Sequence, residues 1–415
     1  MSSMDRRAGH NNGFFLLTVL SFVVMALFGF LENIRGTVIP AIKKEFGVDY
    51  SSIGLMLFVT GAGYLVAPFI GGVAIDRYGR RHVLALGLIF LMVGIVGLQF
   101  VGSYSVLIAL LTLLTSGFGL LEVGLNALGG QIFITNAAVM MSFLHLFYGV
   151  GASVSPRYAG LLLFHDVSWR NIYLYSLALV GIIFIFLLLA RFPGKSSVSE
   201  QRFPVKSLLC DRRVWLFVAV LGFCQLAENG IGNWLVTFLQ VERGMDERSS
   251  SQYLSLFFVA FTLGRVVGGY IAERIGYVDT VLYCTVFSTL LFAGGLAGGG
   301  HGLLLFPLMG FFISIKYPTV MTIIMKEFSQ GNAMGSAMGF IITGAATVSM
   351  AFNWLIGKVN DCCGVQVGFG SLLVYTAMII FFLAPLSRML TYRAPEEDLS
   401  PETPASAPGH GLGGS

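Results

Sequence analysis

A chain of 415 residues that is 56% hydrophobic and only 11% charged falls far below the ~25% charge of soluble domains, so a soluble globule is excluded. Its formal net charge of +4 comes from scattered loop lysines and arginines, which suits a lipid bilayer and gives no reason to expect a nucleic-acid partner. An all-α membrane protein is expected.

Apolar runs long enough to cross a bilayer recur twelve times, at roughly 14–36, 51–75, 82–101, 105–134, 139–164, 171–191, 214–240, 250–272, 279–299, 303–326, 333–356 and 365–387. Period-2 alternation does not dominate, which argues against a β-barrel. The 52 glycines fit helices that pack closely in lipid. The start, MSSMDRRAGHNN, is polar; the apolar run after it is too long for a signal-peptide core and is read as the first helix. A polar stretch at 191–213 divides six helices from six, and the Pro-, Ser-, Gly- and Glu-rich tail from 394 reads as disordered. The expected organisation is an N-terminal bundle at 1–190, a cytoplasmic linker at 191–213, a C-terminal bundle at 214–393 and a cytoplasmic tail at 394–415. Five cysteines show no metal-ligand spacing, so neither metal nor cofactor is expected, and Cys362 and Cys363 are read as free thiols.

Loop charge sets the expected orientation. With the N-terminus inside, the inner segments hold 15 lysines and arginines, from Arg6 to Arg393, and the outer segments hold 6, from Lys43 to Lys358. The positive-inside rule then places both termini in the cytoplasm.

The halves repeat. With a shift of 197 residues EFGVDYSSIG falls on ERGMDERSSS, and GGVAIDRYG falls on GGYIAERIG. A tandem copy in the same orientation is the plan of carriers that rock two halves about a site near the midplane. The loop GGVAIDRYGRR resembles the signature loop of the major facilitator superfamily through Gly72, Asp76, Arg77, Gly79, Arg80 and Arg81, with a degenerate copy at Glu273 and Arg274. The resemblance implies a major facilitator fold, with 12 transmembrane helices in two pseudo-symmetric six-helix bundles. Gly72 is expected to let helices approach and Gly79 to turn the chain. Asp76 is expected to pair with the arginines across the cytoplasmic face in the outward-facing state only.

An ionisable residue at the bilayer centre costs at least ~2.5–3.5 kcal/mol and is tolerated where it faces a polar cavity. The superfamily resemblance implies that helices 1, 4, 7 and 10 line that cavity. Helix 1 carries Glu32, Asn33 and Arg35, and helix 4 carries Glu122 and Asn126 on one face. Helix 7 carries Gln225, Glu228, Asn229 and Asn233 as a polar stripe, followed by Trp234. Helix 10 holds Lys316, Tyr317 and Pro318; helix 5 adds His145, Tyr148 and Arg157; helix 11 adds Asn353. Amides and carboxylates bind hydroxyls in both directions and aromatic faces cover sugar C–H groups, so a neutral polyol is the expected substrate. A plainer role for the amides is cross-linking helices, worth about 0.6 kcal/mol each.

Four pieces, LLEVGLNAL, FLHLFYGVGA, AENGIGNWL and SIKYPTVMTIIMKEF, resemble helices 4, 5, 7 and 10 of the fucose/galactose/glucose:H+ symporter family. That resemblance implies that Glu122 belongs to the sugar and proton site. Glu122, with Glu32 and Glu228, is expected to couple protons, because a proton removes a charge that opposes closing the cavity. Lys316, near the repeat counterpart of Glu122, is expected either to approach it across the cavity or to pair with Glu228 or Glu32, or to snorkel. The expected function is proton-coupled transport of a hexose-like sugar by alternating access, with Na+ as the other candidate ion. A monomer in a bacterial inner membrane is expected. A proton-coupled drug exporter of the same fold is the alternative: GASVSPRYAG (151–160) partly matches an antiporter motif but carries Ser155 and Ala159 where it has glycines. A receptor or scaffold on the carrier fold ranks below both. No nucleotide loop or nucleophile–base pair points to an enzyme.

Overall fold

A computed structural model describes residues 15–133, 137–190, 192–193, 209–328 and 334–390. The tail expected from 394, residues 194–208 of the expected linker, and Arg6, Arg7 and Arg393 lie outside them. Twelve helices long and apolar enough to cross a membrane are present among the described residues. They are α1 Phe15–Phe46, α2 Tyr50–Tyr78, α3 Arg80–Leu98, α4 Tyr104–Ile132, α5 Ala137–Phe164 and α6 Trp169–Leu189. The second set is α7 Arg212–Arg243, α8 Glu247–Ile275, α9 Tyr277–Ala297, α10 Gly299–Glu327, α11 Met334–Cys363 and α12 Val365–Met389.

Several helices outrun their apolar stretches. α1 continues past Gly36 and Pro40 to Phe46, with Lys43 and Lys44 in its last turn. Hydropathy marks where the bilayer ends, whereas the helix ends where its hydrogen-bond ladder stops, and the two differ by up to three turns here.

The repeat is visible in the backbone. Gly47 and Gly244 turn at φ 61° and 62°, and Gly79 and Gly276 at φ 89° and 98°, a region that favours glycine. Asp49 caps α2 through the Ser52 N–H at 2.7 Å, and Asp246 caps α8 through the Ser249 N–H at 2.6 Å. Glu45 accepts from Trp169 Nε1 (2.6 Å) at the start of α6, and its counterpart Glu242 accepts from the Gln366 N–H (3.1 Å) at the start of α12.

Gly79 turns the chain as expected, but Gly72 does not serve helix packing. A Cβ on Gly72 would meet nothing within 4 Å, whereas one on Gly71 would lie 2.8 Å from Val123 Cγ1 of α4. The same holds in the second half, where Gly268 packs on Ile315 and Gly269 is open. The α2–α4 contact therefore falls one position earlier than the signature loop suggests.

In the first bundle α1 packs on α5, and α4 on both α2 and α3; in the second, α7 packs on α11 and α12, and α10 on α8 and α9. The bundles join along α2–α11 and α5–α8, with a smaller contact between α1 and α7. The cross-bundle joints cluster toward the end of the molecule that carries Asp49 and Asp246. Gly54 meets the Trp354 backbone, Gly357 meets the Tyr50 backbone, and Arg157 reaches the Arg248 carbonyl at 3.0 Å. At the opposite end, where Gly79 and Gly276 turn, the following bonds among the described residues lie within a bundle. Arg80 reaches the Ala127 carbonyl at 3.0 Å, Arg81 the Leu188 carbonyl, and Arg213 the Glu327 carboxylate at 2.5 Å. α4 and α10 barely meet, and Asp76 makes no ion pair among the described residues. The molecule is therefore shut at the Asp49 end and parted at the signature-loop end.

Candidate functional site

The half-buried acids Glu32, Glu122 and Glu228 gather where α1, α2, α4, α5, α7 and α8 converge. Tyr148 of α5 donates its hydroxyl to Glu32 Oε2 at 2.6 Å. Asn33 Nδ2 donates to the Tyr148 oxygen (3.3 Å) and to the Gly29 carbonyl (2.8 Å). Tyr64 of α2 donates to Glu122 Oε2. The Phe28 ring holds both phenols in place, with centroids 5.1 Å from Tyr148, 6.4 Å from Tyr64 and 5.0 Å from Phe118. Glu32 and Glu122 thus each have a neutral hydroxyl as hydrogen-bond donor, and an aromatic cluster aims those hydroxyls.

The third acid has a cation. Glu228 Oε1 of α7 lies 3.8 Å from Arg265 Nη2 of α8, with side chains 20% and 27% exposed. The Arg265 guanidinium covers the Phe261 ring at 4.6 Å. It lies within electrostatic range of Glu122, His145 and Tyr317 as well. Three carboxylates therefore share a polar centre with Arg265 and Arg35, and such charges persist in a membrane only when they face each other or a wet cavity.

Glu32, Asn33 and Gly36 of α1 face Glu228, Asn229 and Gly232 of α7 across a crevice of ≈ 30 Å³, also lined by Arg35, Tyr148 and Asn233. That is room for about one water and none for a hexose. It forms where α1 and α7 touch: a Cβ on Gly36 would lie 1.9 Å from the Gly232 carbonyl oxygen.

Other expected site residues are placed differently. Lys316 is fully buried and donates to Ser288 Oγ of α9 at 3.3 Å, so it does not approach Glu122. The reason is rotational: Lys316 occupies the stripe of α10 that packs on α9. Neighbouring Tyr317 is partly exposed. Trp234 is fully buried and packs edge-on against Tyr50 at 6.2 Å, behind the polar stripe of its helix. Asn229 donates to Ser349 Oγ (3.3 Å), Asn233 to Asn353 Oδ1 (3.5 Å) and Asn353 to the Ser349 carbonyl (3.3 Å), an amide ladder tying α7 to α11. The cross-linking reading thus describes Asn353, while Asn229 and Asn233 also border the crevice. Among the described residues Asn126 Oδ1 and Gln225 Oε1 are buried without a hydrogen-bond partner, and His145 is partly exposed.

Sequence reasoning passed over Tyr64 and Arg265. Tyr64 carried no signal beyond being a phenol in an apolar helix. Arg265 did carry one, because it is the sole charge in residues 249–272.

The family model described as "Major Facilitator Superfamily" matches residues 20–352. The cis,cis-muconate transport protein of Acinetobacter baylyi is 24% identical over 370 residues, covering 83% of this chain and 87% of that one. The L-fucose-proton symporter of Escherichia coli is 21% identical over 406 residues, covering 87% and 91%. A solved structure of the nucleoside transporter NupG superposes with a TM-score of 0.76 at 16% identity, covering 89% of this chain and 98% of that one. The fold, the repeated half and the matched model together place this chain in the Major Facilitator Superfamily, as a multi-pass membrane transporter.

Proposed function

We propose that the chain carries a hexose-like sugar into a bacterial cell together with protons, by alternating access, with both termini in the cytoplasm. The reading rests most on one observation: Glu32 and Glu122 each accept a hydrogen bond from a tyrosine hydroxyl rather than from a cation. Such a carboxyl group can gain or lose a proton without breaking an ion pair, and phenols and amides nearby suit a polyhydroxyl solute. Glu122 serves as the proton and sugar group of the N bundle, with Asn126, Gln225, His145 and Tyr317 around the same space. The similarity to a relative named as an L-fucose-proton symporter supports this class. In that orientation the parted end faces the cytoplasm, and the ion pairs of Asp76 form when the carrier swings outward.

Arg35 and Arg265 support a second reading, a carboxylate substrate, and one relative is named as a muconate transporter. Proteoliposomes decide between them. Uptake of radiolabelled L-fucose, galactose, glucose and cis,cis-muconate is measured with and without an imposed pH gradient. Accumulation of a sugar that requires the gradient is the expected result, and that accumulation is lost in Glu122→Gln. Accumulation of muconate alone replaces the sugar reading.

A further inference from the structure

The two faces of the crevice are copies of one motif. Residues 32–36 read ENIRG and residues 228–232 read ENGIG, so Glu-Asn-x-x-Gly occurs once in α1 and once in α7. The offset is 196, one residue short of the 197 that aligns the rest of the repeat, which hides the match in a fixed-shift comparison. Each half of the motif has a distinct place. The glycines bring the backbones of α1 and α7 into close contact, and the acids and amides border the space beside them.

We propose that the two copies form one proton-operated gate, in which Glu32 and Glu228 hold a proton between them when Gly36 closes on Gly232. This gate rests on the alternating-access, proton-coupled reading above. Closing the Asp49 end brings two carboxylates from opposite bundles to one crevice, and like charges there oppose closure. A proton taken from the water at that end removes one charge and lets the backbones meet. When that end reopens the acids part and the proton returns to the water there, so the gate sets the balance between the two states, and the proton that crosses with the solute is carried by Glu122.

The surroundings limit how else the charge could be met. Arg35 on α1 borders the crevice and makes no ion pair among the described residues. Arg265 from α8 meets Glu228 but is shared electrostatically with Glu122 of α4. Tyr64, Tyr148 and Tyr317 of α2, α5 and α10 are neutral phenols; Tyr173 on α6 faces Arg35, Cys224 lies on α7, and His145 is on α5. Lys316 of α10 donates to Ser288 and also lies within electrostatic range of Glu228. Arg35, Arg265 and Lys316 thus face the three carboxylates, but the one ion pair among them in the described residues is Glu228–Arg265 at 3.8 Å. Glu32 meets Glu228 with a neutral phenol as its donor, and a proton there relieves the repulsion. By linkage, whatever binds the shut state better also favours it, so acid favours closure of the Asp49 end.

The steric part is asymmetric, which makes it sharp. A Cβ on Gly36 would sit 1.9 Å from Gly232 O, while a Cβ on Gly232 would meet only Phe258 Cζ, at 3.7 Å. Gly36→Ala therefore blocks closure and Gly232→Ala does not.

The test uses the purified full chain in lipid nanodiscs with no solute added. Cys210, Cys362 and Cys363 are changed to Ser, and spin labels are placed on Lys44→Cys and Val241→Cys, repeat-equivalent positions exposed at the Asp49 end. Inter-label distances are measured from about pH 8 to about pH 5. The expected result is a short-distance population that grows about fivefold on acidification. It stays level with pH in Glu32→Gln/Glu228→Gln, is absent at every pH in Gly36→Ala, and is retained in Gly232→Ala. A short population in Gly36→Ala equal to that of the parent, or an undiminished pH response in the double Gln variant, overturns the gate. If Gly36→Ala does not fold, the Gln pair alone decides. Because no solute is present, failure of the sugar uptake assay leaves this readout standing, and failure here leaves the sugar reading standing.

Discussion

Asp361 at the end of α11 caps a helix of the other bundle: it accepts the backbone N–H of Tyr50 (2.9 Å) and of Ser51 (2.6 Å) and the Ser51 hydroxyl (2.5 Å) at the start of α2. A carboxylate on the positive end of a helix is a charge-assisted contact, and this one spans the bundle interface. The α5–α8 joint at the same end is made differently, by Arg157 on the Arg248 carbonyl and Gln252. Asp361→Asn is expected to weaken the shut state by about 1 kcal/mol, since the site is exposed, and so to shift the equilibrium about fivefold. Labelling of an Asn229→Cys thiol by an impermeant reagent from the Asp49 side should speed up to match. An unchanged labelling rate would show the contact to be incidental.

The Glu228–Arg265 pair predicts non-additive substitutions. Arg265→Gln strands a carboxylate in the membrane, and losing one partner of such a pair costs more than losing both. The single variant is expected to lose at least about tenfold in gradient-driven uptake. Adding Glu228→Gln should recover solute counterflow and thermal stability, with a coupling energy of about 1–2 kcal/mol in the double-mutant cycle. Additive losses would argue that the two side chains act separately.

Lys316 is predicted to be dispensable for transport. Its ammonium is buried with one hydroxyl as its hydrogen-bond partner, so Lys316→Met removes a desolvated charge while keeping volume. The variant is expected to hold its melting temperature or raise it, and to keep most of its uptake. A loss of more than about tenfold in uptake at unchanged stability would return Lys316 to the pathway.

Glycine packing separates Gly71 from Gly72. Gly71→Val forces a side chain into Val123 and Leu120 of α4, and a cost of about 1–3 kcal/mol is expected in thermal unfolding in detergent. Gly72→Ala meets nothing and should unfold within about 0.5 kcal/mol of the parent chain. Equal effects would contradict the packing described above.

The helix caps predict a pH dependence. The Ser52 hydroxyl and N–H hold the Asp49 carboxyl below the usual aspartate range, and the Ser249 N–H and hydroxyl do the same for Asp246. A depressed acid contributes stability above its unfolded value, near 3.9, and that contribution is lost as pH falls through the folded value. Asp49→Ala and Asp246→Ala are each expected to cost about 1 kcal/mol at neutral pH. The difference from the parent should shrink toward pH 3, followed as melting temperature against pH. A gap that persists in acid would mean the caps act through something other than charge.

The signal for membrane helices and for the tandem repeat is strong because both depend on residue type and spacing alone. Twenty apolar residues must be shielded from water wherever they occur, and Asp49, Gly79 and their copies perform local tasks that neighbouring residues complete. The interior charges were also legible as a group: Glu32, Glu122 and Glu228 had to face something polar. Which polar groups they face was not, because that depends on the rotation of each helix about its axis. Lys316 and Tyr317 are neighbours in sequence, yet one is sealed against α9 and the other reaches the centre.

What the sequence by itself determined, then, was the count of spans, the duplicated half and the set of acids that cannot rest in lipid, since free energy of transfer and local backbone geometry are properties of short segments. Only the tertiary structure decided that Tyr64 serves Glu122, that Arg265 serves Glu228, that the bundles shut at the Asp49 end, and that two Glu-Asn-x-x-Gly segments meet. Those are facts about contacts between residues far apart in the chain, set by how rigid helices turn and pack, and no window of sequence contains them.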